Sequence, residues 1–319
     1  MLTLINSKNI KGMKWAVPNE FLSEEIRSGH LVTKDIKELW LVELGCLKAL
    51  AELCQKHHIL YYAGGGTLLG AIRHNGFIPW DDDIDVFMDF SNYIRFCSIA
   101  SQEIKHPFFF QNYLTEDGFG PGFSRIRNSE TTGCTQYDYS MASPDYNCGI
   151  FIDIFPLFGI EKNRFLALFQ RYRIGFWRRG FIGYEIQRIF RNGGNESSVR
   201  INKHVLVWSF LSLFFDHKGI SKKFLKACSC AKNYDKVGLL SFSGLNQRFI
   251  WDKSWFEKIT ILPFEFTEIP CPKDFDPVLR TMYGDYTIFV KGGQIHTMTV
   301  CDTKTPYKIK LKDKFKSHL

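Results

Sequence analysis

Residues Ile59 to Met88, ILYYAGGGTLLGAIRHNGFIPWDDDIDVFM, leave this chain little freedom in how it folds. The apolar run from Ile59 to Ala63 ends at Gly64, Gly65 and Gly66, and Thr67 then opens a segment of helical pattern. Backbone N–H groups at such a helix start can face a phosphate. After an Asn75-Gly76 turn and a break at Pro79, Asp81, Asp82 and Asp83 lead into Ile84-Asp85-Val86-Phe87-Met88, which has the pattern of a strand. Alternate strand residues share a side, so Asp83 and Asp85 fall on one face, joined by Asp81 if the extended backbone reaches back that far. Two carboxylates at roughly 5 Å and an effective dielectric near 20 repel by about 3 kcal/mol, which suits a divalent cation better than it suits stability. A solvated acidic turn is the alternative, but it leaves the glycine triplet, the apolar IDVFM and the intervening Arg73-His74 unexplained.

A second carboxylate signal lies downstream. Gly149 to Pro156 reads as a strand in which Asp153 stands alone among Phe151, Ile152, Ile154 and Phe155. A carboxylate in so apolar a run needs a cation or several donors, so Asp153 is expected to partner Asp83 and Asp85. Strand-like runs also fall at 108–113, 123–127 and 131–139, with Arg125 and Arg127 on one face of theirs. Two readings of that pair stay open: solvated arginines on an edge strand, or guanidiniums facing a diphosphate.

The block from Gly65 to Val86, the later Phe151-Ile152-Asp153-Ile154-Phe155-Pro156 and the Tyr283-Gly284-Asp285-Tyr286 near the C-terminus closely resemble the LicD family of phosphocholine transferases, which includes fukutin-type enzymes. The resemblance implies an α+β, nucleotidyltransferase-like mixed sheet flanked by helices. It also implies transfer of a phospho-alcohol from a CDP-activated donor to a glycan or lipid-linked glycan hydroxyl, with CMP leaving. In that scheme Asp83, Asp85 and Asp153, with Asp81, hold Mg²⁺ or Mn²⁺, and Gly65, Gly66 and Thr67 hold phosphate oxygens. Arg73 and Arg127 clamp the leaving phosphate, and Asp153 or His74 accepts the hydroxyl proton. Nucleotidyl or glycosyl transfer on the same metal site, and a non-catalytic scaffold, are the competing classes. After Asp285 the chain departs from the family pattern at Phe289 to His296, and no acceptor residue is assigned there.

Length and charge divide the chain. Its 319 residues, 45% hydrophobic and 16% aromatic, suffice for about two domains, or one with an insertion. We expect a core in residues 1–161, a helical basic-aromatic insertion in 162–240, and a part completing the core in 241–319. Helical spacing of Ile36, Trp40, Leu44, Leu47, Ala51 and Cys54 predicts a helix from Asp35 to about His57, and another is expected over Phe90 to Ile104 with Ser91 as its cap. Residues 162–203 hold ten of the 41 Lys and Arg against two of the 33 acids, so the remainder balances at 31 of each. Arginine there interleaves with Phe, Trp and Tyr, and Val205 to Phe215 is apolar but too short to span a bilayer. An amphipathic helix on an anionic membrane surface and an ordinary solvated subdomain both fit. No recognition motif accompanies the charge, so no nucleic-acid partner is expected. Nine cysteines without a CxxC pair, and an N-terminus unlike a signal peptide, lead us to expect reduced thiols and a cytoplasmic protein, peripheral to the inner face of the membrane if the insertion binds it.

Overall fold

The apolar run around Asp153 becomes an eleven-residue strand, and the main sheet is built on it. The computed structural model describes residues 16–191, 216–244, 246–290 and 298–316. A hairpin of β1 (Glu25–Arg27) and β2 (His30–Val32) precedes helix α1 (Lys34–Lys56), which the Thr33 hydroxyl caps by accepting from the Ile36 N–H. Then come β3 (Tyr62–Ala63), α2 (Gly65–His74), β4 (Asp85–Asp89), α3 (Phe90–Glu103), β5 (Phe108–Gln111), β6 (Ser124–Asn128), β7 (Thr132–Cys134), α4 (Gln136–Met141) and the long strand β8 (Ile150–Ile160). The basic segment supplies α5 (Arg164–Arg191) and α6 (His217–Cys228). The chain returns through β9 (Lys236–Gly238), β10 (Ile250–Asp252), the hairpin β11 (Ile259–Phe264) and β12 (Thr267–Pro272), α7 (Phe275–Tyr283) and β13 (Val300–Asp302).

Seven strands form one mixed sheet, in keeping with the expected α+β class. β8 runs parallel to β4 along one edge, and along the other it pairs antiparallel with β6 and then β9. β3, β5 and β10 extend it outward from β4, β6 and β9. β8 reads as a continuous apolar run because it is covered on both faces. The apolar stripe of α1, with Trp40, Leu44, Leu47 and Leu50 buried, packs on the sheet together with Phe87, Ile152 and Ile154.

Three local expectations change. Asp89, not Ser91, caps α3, its carboxylate accepting from the N–H groups of Ser91 and Asn92. The strand expected over 131–139 stops at Cys134, because Thr135 and Asp138 form a capping box that starts α4. Residues 1–34 give weak signals in the sequence and read as irregular, but they include the hairpin β1–β2. The apolar run at 205–215 and His296 lie outside the described residues. The nine cysteines are all free. Among the described residues no helix is long and apolar enough to cross a membrane.

A tether from the C-terminal part sets the path into the aspartates. Glu265, at the tip of the β11–β12 hairpin, accepts from Arg27 at 2.6 Å and from the Phe77 N–H at 3.0 Å, while its own N–H donates to the Asn75 carbonyl at 2.7 Å. The turn after α2 is thus gripped from more than 180 residues away along the chain.

Candidate active site

Strand register brings the two carboxylate signals together. Asp85 on β4 lies opposite Asp153 on β8, and Asp153 lies opposite Arg125 on β6, so the three side chains form one row across three strands on one face. Asp81 and Asp83 approach this row from the loop before β4. The Asp81 carbonyl is held by the Trp40 indole N–H at 2.9 Å, and the Ile84 carbonyl accepts the Asp153 N–H at 2.9 Å.

The glycines make this crowding sterically possible. A Cβ on Gly65, which has φ +47°, would sit 2.8 Å from Asp85 Oδ2, and one on Gly66 would sit 2.5 Å from Asp81 Oδ2. Two carboxylates therefore lie against the first turn of α2, whose positive end favours negative charge. Thr67, expected to hold phosphate, is buried and its hydroxyl accepts the Asp85 N–H at 2.8 Å, so it pins β4 to α2 instead.

The electrostatics follow from packing like charges. Burial and Asp82 push Asp81 up to about 6, against hydrogen bonds from the Asp82 backbone and the Asp83 side chain that work to lower it. Burial, then Asp85 and Asp81, raise Asp83 well above the usual carboxylate range. Burial, then Asp153 and Asp81, do the same to Asp85, with Arg125 opposing. Sequence reasoning overlooked a fifth carboxylate. Glu43 of α1 is fully buried, neither oxygen meets a donor among the described residues, and burial together with Asp83, Asp82 and Asp81 raises its pKa. Its signal was an acid inside an otherwise apolar helical stripe.

Asp153 is not the isolated group its sequence suggests. Arg125 donates from Nε to Asp153 Oδ1 at 2.6 Å and from Nη1 to both oxygens of Asp138 at 2.9 Å. Arg127 also ends on Asp138, at 2.9 Å, and on the carbonyls of Gly133 and Gly149. Arg127 is fully buried with its donors directed inward, so it is an internal strut and not the phosphate clamp expected of it. Burial raises the pKa of Asp138, but Arg125 and then Arg127, with Thr135, outweigh it and hold Asp138 at about 2.

Above the aspartates opens a cleft of about 710 Å³ lined by Asp81, Asp83 and Asp85, a size ordinary for small-molecule sites of roughly 300–1,000 Å³. One wall is α2, with Gly66, Leu69 and Arg73; the facing wall is the end of α7 and the turn after it, from Arg280 to Tyr286, with Arg248 beside it. Arg73 donates to the Tyr286 carbonyl at 2.9 Å and stacks over Phe289 at 4.7 Å. Gly284, at φ +71°, turns the chain so that Tyr283 sits near the aspartates, where burial, Asp85, Asp81 and Asp83 raise its phenol pKa. Arg248 and Arg280 were not singled out from sequence, since each sits in a stretch without a motif. His74 packs near Ser28, Trp80 and Phe289. Burial, Arg73 and Arg27 push it down to about 4, below the range expected of a proton acceptor at neutral pH.

The donor set suits a hard divalent cation. Asp81, Asp83 and Asp85 meet no cationic side chain in an ion pair among the described residues, they are reachable by water, and their mutual repulsion would be relieved by bound positive charge. Among the described residues no three His, Cys, Asp or Glu side chains already converge on a common point.

Strand, glycine turn, helix and register-paired aspartates on adjacent parallel strands give the layout that the family resemblance implies for a nucleotidyltransferase-like domain. Residues 58–165 match the LicD family model, described as LicD/FKTN/FKRP, nucleotidyltransferase domain. It is similar to the lipopolysaccharide cholinephosphotransferase LicD of Haemophilus influenzae, 53% identical over 68 residues, which are 21% of this chain and 26% of that protein. Uncharacterized proteins of Rickettsia typhi and Rickettsia prowazekii are 44% identical over 66 residues and 50% over 50, covering 21% and 16% of this chain and 21% and 18% of theirs. The chain thus matches about a quarter or less of the length of these relatives.

Proposed function

We propose that this protein is a metal-dependent phospho-alcohol transferase, moving a group such as phosphocholine from a CDP-activated donor to a glycan or lipid-linked glycan hydroxyl and releasing CMP. The reading rests above all on Asp83 and Asp85 at the floor of the cleft, with Asp153 in register beside Asp85, in a stretch that matches this family's model. Asp83 and Asp85, with Asp81 and the free oxygen of Asp153, would hold Mg²⁺ or Mn²⁺. Such an ion supplies charge neutralisation of a diphosphate and stabilises the attacking and leaving oxygens.

The chain's own groups do the rest. Arg73 carries the positive charge at the rim on the α2 side, and Arg248 and Arg280 carry it on the facing wall, so a diphosphate lying across the cleft meets guanidinium on both sides. Tyr283 narrows the approach to the aspartates and limits water. A carboxylate of the floor, in preference to His74, takes the proton of the incoming hydroxyl.

The test is to incubate purified protein and Mg²⁺ or Mn²⁺ with a panel of CDP-alcohols, with and without a lipid-linked glycan, and to follow CMP. Expected are CMP release with one donor, transfer of its phospho-alcohol, and loss of both in Asp83→Asn with folding retained. Release of pyrophosphate, or a transferred sugar, would overturn the proposal, as would undiminished CMP release by Asp83→Asn.

A further inference from the structure

Among the described residues, helix α5 carries a broad exposed apolar face. Phe165, Leu168, Phe169, Tyr172 and Phe176 are 80%, 55%, 57%, 67% and 36% exposed, and their spacing places them within one stripe. Its opposite side is the packed one: Gln170, Ile174 and Phe181 are buried, Gln170 donates to the carbonyls of Gly159 and Cys228, and Ile174 packs with Phe158, Phe224 and Leu225. The stripe is therefore not the seam by which α5 joins the domain.

The described side chains of these two helices carry charge of one sign only. Residues 164–184 of α5 carry Arg164, Arg171, Arg173, Arg178 and Arg179 and no acid, and α6 adds Lys218, Lys222, Lys223 and Lys226, again without an acid. Arg171, Arg178 and Arg179, with Tyr172, Leu168 and Gly244, line a hollow of about 480 Å³ beside the stripe. Gly244 is four residues from Arg248 of the substrate cleft, so their Cα atoms are within about 14 Å by chain length alone.

We infer that α5 is a docking face for an anionic lipid bilayer, with the five apolar side chains seated at headgroup depth and the arginine hollow taking a lipid phosphate. Large aromatic and aliphatic side chains ringed by arginine suit a surface that is apolar below and negative above. A second copy of the chain would bring the same arginines and lysines against these, and nucleic acid offers nothing for Leu168 or Phe165 to enter. Bilayer docking there would hold the cleft near the membrane surface.

The experiment is co-sedimentation of the full-length protein with vesicles of phosphatidylcholine alone and of equimolar phosphatidylcholine and phosphatidylglycerol. Wild type should partition onto the anionic vesicles only, and less so as salt rises. Each arginine near such a surface is worth roughly a fivefold change in partition, so Arg171→Gln/Arg178→Gln/Arg179→Gln should weaken binding on the order of a hundredfold. Phe165→Ser/Phe169→Ser/Tyr172→Ser should weaken it even with every arginine kept, and both variants should melt like wild type because the altered side chains are exposed. Wild type remaining in the supernatant, either variant sedimenting like wild type, or a solution dimer that the serine variant dissociates would overturn the inference, as would retention by RNA in place of vesicles.

Discussion

Arg125→Leu gives the most direct test of how the carboxylate row is balanced. The guanidinium is 9% exposed, bonds Asp153 at 2.6 Å and Asp138 at 2.9 Å, and lies over the Phe151 ring at 3.8 Å. Leucine keeps much of the apolar packing but leaves Asp153 without its cation and Asp138 with Arg127 alone. Breaking a buried ion pair from one side costs about 3–5 kcal/mol, because the surviving charge is left uncompensated. We therefore expect a loss of about that size in urea unfolding monitored by far-UV circular dichroism in chelator-treated buffer. Arg125→Lys should recover part of it, since one ammonium cannot reproduce a fork that spans two carboxylates. Arg125→Leu combined with Asp138→Leu should cost less than the two single changes added together, because removing both partners removes the stranded charge. A loss in Arg125→Leu below about 1 kcal/mol, or strict additivity in the cycle, would refute the idea that the guanidinium balances these aspartates.

Three further outcomes follow from the site. His74→Gln should retain CMP release within about tenfold, since a histidine held at about 4 is a weak base at neutral pH, and a hundredfold loss would restore it as proton acceptor. Asp138, at about 2 when folded against 3.8 unfolded, contributes stability that is complete above pH 4 and is lost as pH falls through about 2. Asp138→Asn should therefore remove about 2 kcal/mol of acid-dependent stability from the unfolding free energy measured between pH 4 and 2. The raised pKa of Glu43 has the opposite sign: the folded chain holds this proton to higher pH than the unfolded chain does, so the group lowers stability as pH rises through and above 4.5. Glu43→Gln should accordingly melt higher than wild type at pH 7 and equally at pH 4, and a lower melting temperature at pH 7 would show that the carboxylate is used in its charged form.

The sequence made some parts of this site legible and concealed others for identifiable reasons. The turn, helix and strand around Gly64 to Asp85 could be read because each is set locally, by glycine, by periodicity and by alternation. The aspartate on β8 stood out because its neighbours are apolar, but its pairing with Arg125 depends on the register of β6 against β8, which no local pattern records. The same register sends Arg127 inward although it shares a face with Arg125. Asp138 looked like part of a strand, since the capping box that starts α4 also serves as the counter-ion of two arginines. His74 lies on α2, but the proximity of Arg73 and Arg27 that lowers its pKa depends on a hairpin more than 40 residues earlier.

The cleft draws its floor and one side from residues 66–85 and its other side from residues 248–290. On the proposed function, reactive chemistry and substrate choice sit on separate stretches of polypeptide, tied together through the grip of Glu265 on the turn at Asn75. Drift in the distal stretch could retune which alcohol or sugar is admitted while the acidic machinery stays as it is, and a graft between relatives would need to carry that clasp along with the wall it replaces.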